Sequence, residues 1–461
     1  MGATATIAEF IVNAKASDFP PGSDQKAIKV IADTYAVILA GVSSEVAEPL
    51  QRYLDAARES GAAPILGTGL TTTAETAALI NGAYGHALDY DDVLSMMPAH
   101  PSAVILAAAL ASTNGETVSG KDFIEAYIIG VEVGGKIGLG ITNEHYQRGY
   151  HATGTLALFS GLAALSRLHG LDAPTIQQAM GIAGSMASGL RRNFGTMTKP
   201  LHSGLAARSA LSAVRLAMAG FTAAPDIMEA ESGFYATLGT AASDPDVTAR
   251  GLGKPFVISS PGIAIKKFPC CYATHRAIDG VLTLRKKLGF DAASIDKVMC
   301  RMPPGGMRVL TYPHPTTGLE GKFSLPYSIA AAALDGTFSL WSFSDEAVNR
   351  PEVAALYERI DAHETDTSRG DDPQFDKLSS GSRGFVEVEV HLKDGRRDQI
   401  RVDVAPGAPA RELTWEELQE KFMDCAKQAP RISDANAASA FAAIKALDKA
   451  DDIAHITALL H

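Results

Sequence analysis

Phe385-Val386-Glu387-Val388-Glu389-Val390-His391-Leu392 alternates apolar and polar side chains, the period of a half-buried β-strand. Asp394-Gly395 follows, a pair suited to the positive φ angles of a tight hairpin, and Gln399-Ile400-Arg401-Val402-Asp403-Val404 reads as the returning strand. This hairpin decides the fold because little else in the chain has that period. Upstream of it, Val298-Met299-Cys300-Arg301-Met302 reads as a short strand, and helices are predicted over residues 274–287 and 326–333. Residues 363–384 are polar, rich in Gly, Ser and Asp, and read as a mobile loop. The character changes near Lys254, where Pro255-Phe256-Val257-Ile258 turns β-branched.

Farther out, residues 7–255 read as mostly helical. Ala and Gly dominate, and apolar positions recur at helical spacing, as in Leu79, Ile80, Ala83 and Ala87. Gly130, Gly134 and Gly138 recur at every fourth position of one such segment. Glu132 and Lys136 lie among them, so close packing of soluble helices is expected rather than a membrane contact. On the other side of the hairpin, Thr414 and Glu417 form a capping box, and Ala-rich helical sequence runs on from there. That tail matches the first half in composition and is expected to rejoin it. The fold class is therefore mainly α. A large all-helical domain is formed by both chain ends, residues 1–265 and 406–461, with a smaller α+β domain, residues 266–405, inserted.

A chain of 461 residues carries two domains by default. Hydrophobic residues make up 46% and charged residues 20%, as in an ordinary globular enzyme. The net charge of −11 argues against a nucleic-acid partner, and no apolar run is long enough to span a bilayer. The N-terminus has no secretory signal, and the myristoylation-like start at Met1-Gly2 is read as chance, with nothing basic after it. Four cysteines, two of them adjacent and none at zinc spacing, point to a reducing compartment, hence a cytoplasmic protein without disulfides. No strand–GxGxxG–helix unit and no phosphate-binding loop of the GxxxxGK[ST] type occurs.

The chemistry concentrates in a few polar segments between the apolar runs. Asp89-Tyr90-Asp91-Asp92 is followed by His100-Pro101-Ser102-Ala103. Crowded carboxylates raise one another's pKa, so one can exchange protons near neutrality, or they can share a hard cation. The plain alternative is a solvated acidic helix end. Asp89 and Asp92 are expected to share a helix face, with Asp91 on another. His100, His151, His202 and His275 each sit among Gly, Pro or Thr, where helices start and stop and functional groups tend to lie, although any one of them alone suits a structural role. No His-x-x-x-His pair suggests zinc. Arg191, Arg192, Lys199, Lys266 and Lys267 fall in the same segments of an acidic chain and suit an anionic, carboxylate substrate. Cys270-Cys271 reads as buried small residues rather than a nucleophile.

Together these segments resemble the MmgE/PrpD family, which holds 2-methylcitrate dehydratases, cis-aconitate decarboxylase and iminodisuccinate epimerase. The likeness is carried in order by residues 86–92, His100-Pro101-Ser102-Ala103, Tyr150-His151-Ala152-Thr153-Gly154, residues 195–202, Phe268-Pro269-Cys270-Cys271 with Thr274-His275, and Phe323-Ser324-Leu325-Pro326-Tyr327. The resemblance implies a helical domain with an inserted α+β lid, an active site between the two, a homodimer, and no metal or organic cofactor. By motif position it assigns the acidic residue to Asp89, the histidines to His100 and His151, the lysine to Lys199, the lid histidine to His275 and the tyrosine to Tyr327. Decarboxylase-like members carry Thr directly after the acidic motif, where this chain has Val93, and their segment before the first histidine is one residue shorter.

The family's reactions make or relieve negative charge beside a carboxylate, which calls for fixed cations and a base near a C–H bond. Lys199 with Arg191 or Arg192 is expected to bind substrate carboxylates. Asp92, His202 and Lys266 join the binding set. Asp89, His100 and His151 are expected to move protons, with His275 and Tyr327 closing the site. The leading expectation is dehydration of a 2-methylcitrate-like polycarboxylate. Epimerisation of an iminodisuccinate-like substrate comes second and decarboxylation of aconitate third. A carboxylate-binding relative without activity and a metal-dependent hydrolase built on the Asp cluster are the other classes.

Overall fold

Small residues set the packing of the helical part of this chain. The computed structural model describes residues 1–461 apart from 372 and 374 and the side chain of 377. The chain forms two compact units. One comprises Met1–Asn193, Met197–Ile265 and Thr414–His461; the other comprises Phe194–Thr196 and Lys266–Leu413.

In the larger unit, α1 (Ser23–Gly41) precedes a two-stranded ribbon of β1 (Ala63–Ile65) and β2 (Leu70–Thr72). Then come α2 (Ala74–Ala87), α3 (Pro101–Ser112), α4 (Gly120–Ile141), α5 (Ala157–Leu168) and α6 (Thr198–Met218). Their starts are written locally. Thr73 accepts a hydrogen bond from the Thr76 N–H at the head of α2, Ser119 does the same for Asp122 at α4, and Pro101 opens α3.

The α4 glycines pack as expected. A Cβ on Gly134 would fall 1.9 Å from the Ser160 hydroxyl of α5, and one on Gly130 would fall 2.6 Å from the Ser160 carbonyl. Glu132 and Lys136 have a use inside this helix. Glu132 accepts from the Gly253 and Val257 N–H groups at 2.7 and 2.6 Å, and Lys136 donates to the Pro255 carbonyl at 2.7 Å. The segment 255–258 is therefore a turn tied to α4, not a strand.

The pair α2 and α6 matters most for the site. Gly82 lies against Gly204, and a Cβ on Gly204 would fall 2.1 Å from the Leu79 carbonyl. Farther along, His86 of α2 meets Lys199 of α6. The helices run antiparallel in near-backbone contact, which sets the end of α2 beside the start of α6.

The smaller unit holds α7 (His275–Leu288), α8 (Leu325–Asp335) and a mixed sheet. Its strands are β3 (Ile295–Met302), β4 (Ile360–Glu364), β5 (Val386–Leu392) and β6 (Arg397–Val402), in the order β4-β3-β5-β6. β4 is parallel to β3; the other neighbours are antiparallel. The β5–β6 hairpin turns at Gly395, whose φ is +88°. Buried residues alternate along β5, and α7 lies on that face so closely that a Cβ on Gly280 would fall 2.8 Å from Val388. The polar stretch 363–384 is not wholly a loop. It begins inside β4 and carries short turns at Asp366–Arg369 and Phe375–Lys377, while 372 and 374 lie outside the described residues. Arg276 of α7 fastens its end by donating to the Arg383 and Gly384 carbonyls at 2.9 and 2.6 Å.

The chain then returns to the larger unit through α9 (Trp415–Ala426). The Thr414–Glu417 capping box opens it, and its buried Leu418 and Phe422 join the core beside α1.

Candidate active site

α2 ends at Ala87, and the residues after it do not continue the helix. Asp89 adopts φ +51° and reverses the chain, its N–H bonding back to the His86 carbonyl. The next anchor is Val93, whose backbone exchanges hydrogen bonds with Ala264 at 2.8 and 3.0 Å. This turn corrects the helical reading of the acidic motif. Asp89 and Asp91 converge with His86 and His100, all four offering ligand atoms within 4.8 Å of one another. Asp92 faces away, where its carboxylate accepts from the Ser102 hydroxyl at 2.7 Å and the Ser102 N–H at 3.3 Å. Tyr127 hydrogen-bonds the same hydroxyl. Asp92 therefore anchors the first turn of α3 instead of lining the cluster. Burial, with Asp91 nearby, pushes its carboxyl well above the usual range.

The cluster contains its own cation. The Lys199 ammonium, in the first turn of α6, lies 2.7 Å from Asp89 Oδ1 and 2.9 Å from His86 Nε2. Its side chain is 5% exposed and that of Asp89 is 6% exposed, so the pair acts with little screening. On the far side of the same ring, His86 Nδ1 lies 2.8 Å from Asp91 Oδ2. A carboxylate can only accept and an ammonium can only donate. The His86 proton is thus on Nδ1, and Nε2 receives Lys199.

His100 occupies the position before α3, with Nδ1 2.6 Å from the Asp92 carbonyl. That carbonyl requires a proton on Nδ1, which leaves Nε2 as the basic nitrogen, 3.9 Å from Asp89 Oδ1. The imidazoles are layered. The His86 ring lies 4.5 Å from that of His100 and 5.6 Å from that of His151, and His151 Nδ1 meets His202 Nδ1 at 3.0 Å. Burial, reinforced by the Lys199 charge, holds His151 well below the ordinary imidazole range and brings His202 down to about 4. Both rings are neutral at pH 7. The arrangement offers a buried ammonium to a developing negative charge, a basic imidazole nitrogen beside it, and carboxylates that fix both.

The other expected residues are placed as follows. Arg191 is half-buried, donates to the Tyr146 carbonyl at 2.8 Å and stacks 4.2 Å from the Tyr146 ring. Arg192 is exposed. Within the smaller unit, Lys266 is fully buried. His275 is buried with Nε2 3.3 Å from the Cys270 carbonyl, between the rings of Phe268 and Tyr272. Tyr327 is also buried; its hydroxyl donates to the Ser342 carbonyl, and burial raises its pKa. Cys270 is a buried thiol 3.1 Å from the Thr274 hydroxyl, the packing role expected of the pair, whereas Cys271 is only half-buried. His86 was not among the expected site residues. It follows Gly85 inside a helical run, and its signals are a last-turn position three residues before Asp89 and its place at the head of the 86–92 motif.

Residues 5–245 match the MmgE/PrpD N-terminal domain, and residues 268–449 match the MmgE/PrpD C-terminal domain. Human cis-aconitate decarboxylase is 28% identical over 449 residues, covering 95% of this chain and 90% of the relative. A cis-aconitate decarboxylase of Aspergillus terreus is 26% identical, covering 86% and 83%. The mitochondrial 2-methylcitrate dehydratase of Yarrowia lipolytica is 27% identical over a shorter span, 68% of this chain and 61% of the relative. Among the described residues, no helix is long and apolar enough to cross a membrane.

Proposed function

This chain belongs to the MmgE/PrpD family, and we propose that it acts there as a lyase that removes CO2 from a small unsaturated tricarboxylate of the cis-aconitate kind. The observation that supports this reading is coverage. The human decarboxylase aligns along 95% of the chain and that of Aspergillus terreus along 86%, the dehydratase along 68%. The order of the sequence-based expectations is thereby reversed, with dehydration of a 2-methylcitrate-like substrate becoming the second reading. The reported relatives are lyases by name, and epimerisation loses its support.

Loss of CO2 from the methylene carbon leaves an electron pair that forms a terminal C=C bond while the original double bond shifts its electrons toward the neighbouring carboxylate. A proton then adds to the carbon beside that carboxylate, not to the carbon that lost CO2. In this reading the Lys199 ammonium takes the carboxylate that gains charge, with Asp89 as resident counter-ion. His100 Nε2, the basic nitrogen, first takes up a proton and then delivers it to the substrate carbon, its ring held throughout by the Asp92 carbonyl. Asp91 holds His86 in the tautomer that receives Lys199. Arg191 is tied to Tyr146, so the reading rests on Lys199 as the cation. The lid role of the smaller unit, with His275 and Tyr327, and a homodimer belong to the same proposal.

Proton NMR of the purified protein with cis-aconitate and with 2-methylcitrate, each in D2O, tests it. CO2 release with new terminal-alkene signals from cis-aconitate is the expected result. Alkene formation from 2-methylcitrate without CO2 would move the assignment to the dehydratase. Activity lost on chelation and restored by a divalent ion would favour the hydrolase class instead.

A further inference from the structure

The acidic turn is held from behind by a residue more than three hundred positions away in the chain. Lys421, on α9, has a side chain only 4% exposed. Its ammonium lies 2.6 Å from Asp33 Oδ1 of α1, whose side chain is fully buried. The same ammonium donates to the Tyr90 carbonyl at 2.9 Å and lies 3.7 Å from the centre of the Tyr90 ring. Tyr90 is the residue between Asp89 and Asp91. Both the backbone and the side chain at the middle of the turn are thus gripped by one cation.

We propose that Lys421 is a positioning residue for the reaction: with Asp33 as its counter-ion, it fixes the turn that aims Asp89 at Lys199 and Asp91 at His86. The inference rests on the reading of that cluster as the active site. A buried ion pair is a poor device for stability, since apolar residues of the same volume commonly serve as well. What an ammonium does that a methyl group cannot is hold a carbonyl. The carbonyl it holds follows Asp89, a non-glycine residue in the left-handed region that needs outside support to stay there. A shift of about 1 Å in catalytic groups is enough to cost about 10²-fold in rate.

The test compares the wild type with Lys421→Met and with the double variant Asp33→Asn/Lys421→Met, using cis-aconitate. Lys421→Met is expected to lower kcat about 10²-fold with KM within about threefold, and to lower Tm because the buried Asp33 loses the ammonium beside it. The double variant removes that buried negative charge. It should recover most of the Tm and little of the kcat. If kcat returns together with Tm, Lys421 serves stability alone and the proposal falls. A second readout needs no turnover. The Asp91-bound imidazole proton of His86, identified by its absence in His86→Gln, should move or broaden in the double variant; an unchanged resonance overturns the proposal. A wild type inert on every carboxylate tried would count against the proposed function and leave this readout to decide the positioning role.

Discussion

At the scale of single residues, Lys199 is a buried ammonium between an imidazole and a carboxylate, and its replacement separates several roles at once. Lys199→Met should cut turnover by at least about 10²-fold and raise KM, because the charge that meets the substrate is gone. It should also cost about 3–5 kcal/mol of stability at neutral pH, since the buried Asp89 carboxylate loses the ammonium 2.7 Å away. Steady-state kinetics and thermal melts check both, and unchanged kinetics would remove Lys199 from the carboxylate site. His202 gives a pH prediction. Its pKa is near 4 in the folded chain against about 6.5 when unfolded, so below pH 6.5 the unfolded state binds a proton that the folded state refuses. Its contribution to stability is complete above pH 6.5 and is lost as the pH falls toward 4. His202→Gln should therefore show a shallower fall in Tm than the wild type across that window. Lys199, His100 and His151 were legible as chemistry because each interrupts an apolar run beside Gly, Pro or Thr. His86 was not, since within a helix a ligand histidine looks like a packed one. Asp92 was legible as acidic but not in direction, because one residue at φ +51° decided where the side chains after it point.

At the scale of elements, the site exists because α2 and α6 approach to glycine distance. Gly204→Ala puts a methyl group 2.1 Å from the Leu79 carbonyl, so the helices must part. The expected outcome is a loss of about 1–3 kcal/mol, with a fall in kcat as Lys199 withdraws from Asp89. Urea unfolding together with kinetics tests it. Wild-type kcat in a destabilised variant would mean that the contact serves packing alone. The helices, the capping box at Thr414 and the β5–β6 hairpin were readable because each follows a period or a cap written in adjacent residues. β4 was missed. It is a half-exposed edge strand without alternation, and its parallel partner β3 lies far back in the chain. The ribbon of β1 and β2 was missed because strands of three residues are too short to show a period.

At the scale of the whole molecule, residues 414–461 belong to the larger unit and complete its core with Leu418, Phe422, Cys425, Phe441 and Ile444, all buried. Deleting this segment should leave the rest insoluble or without cooperative melting, since it uncovers that apolar surface and removes the Lys421 ammonium from the buried Asp33. A soluble, cooperatively melting truncation would show that the segment is an accessory. Sequence by itself determined the mainly helical class, the β5–β6 hairpin, the family and most of the polar residues of the site. Those properties follow from composition, periodicity and motif order, which are local along the chain. Tertiary structure alone decided that Asp89 and Asp91 face the cluster while Asp92 turns away, that His86 bridges Lys199 to Asp91, and that Lys421 supports the turn. Those outcomes depend on backbone pairing with Ala264, glycine contact at Gly204 and a cation from α9, all remote in sequence from the residues they orient.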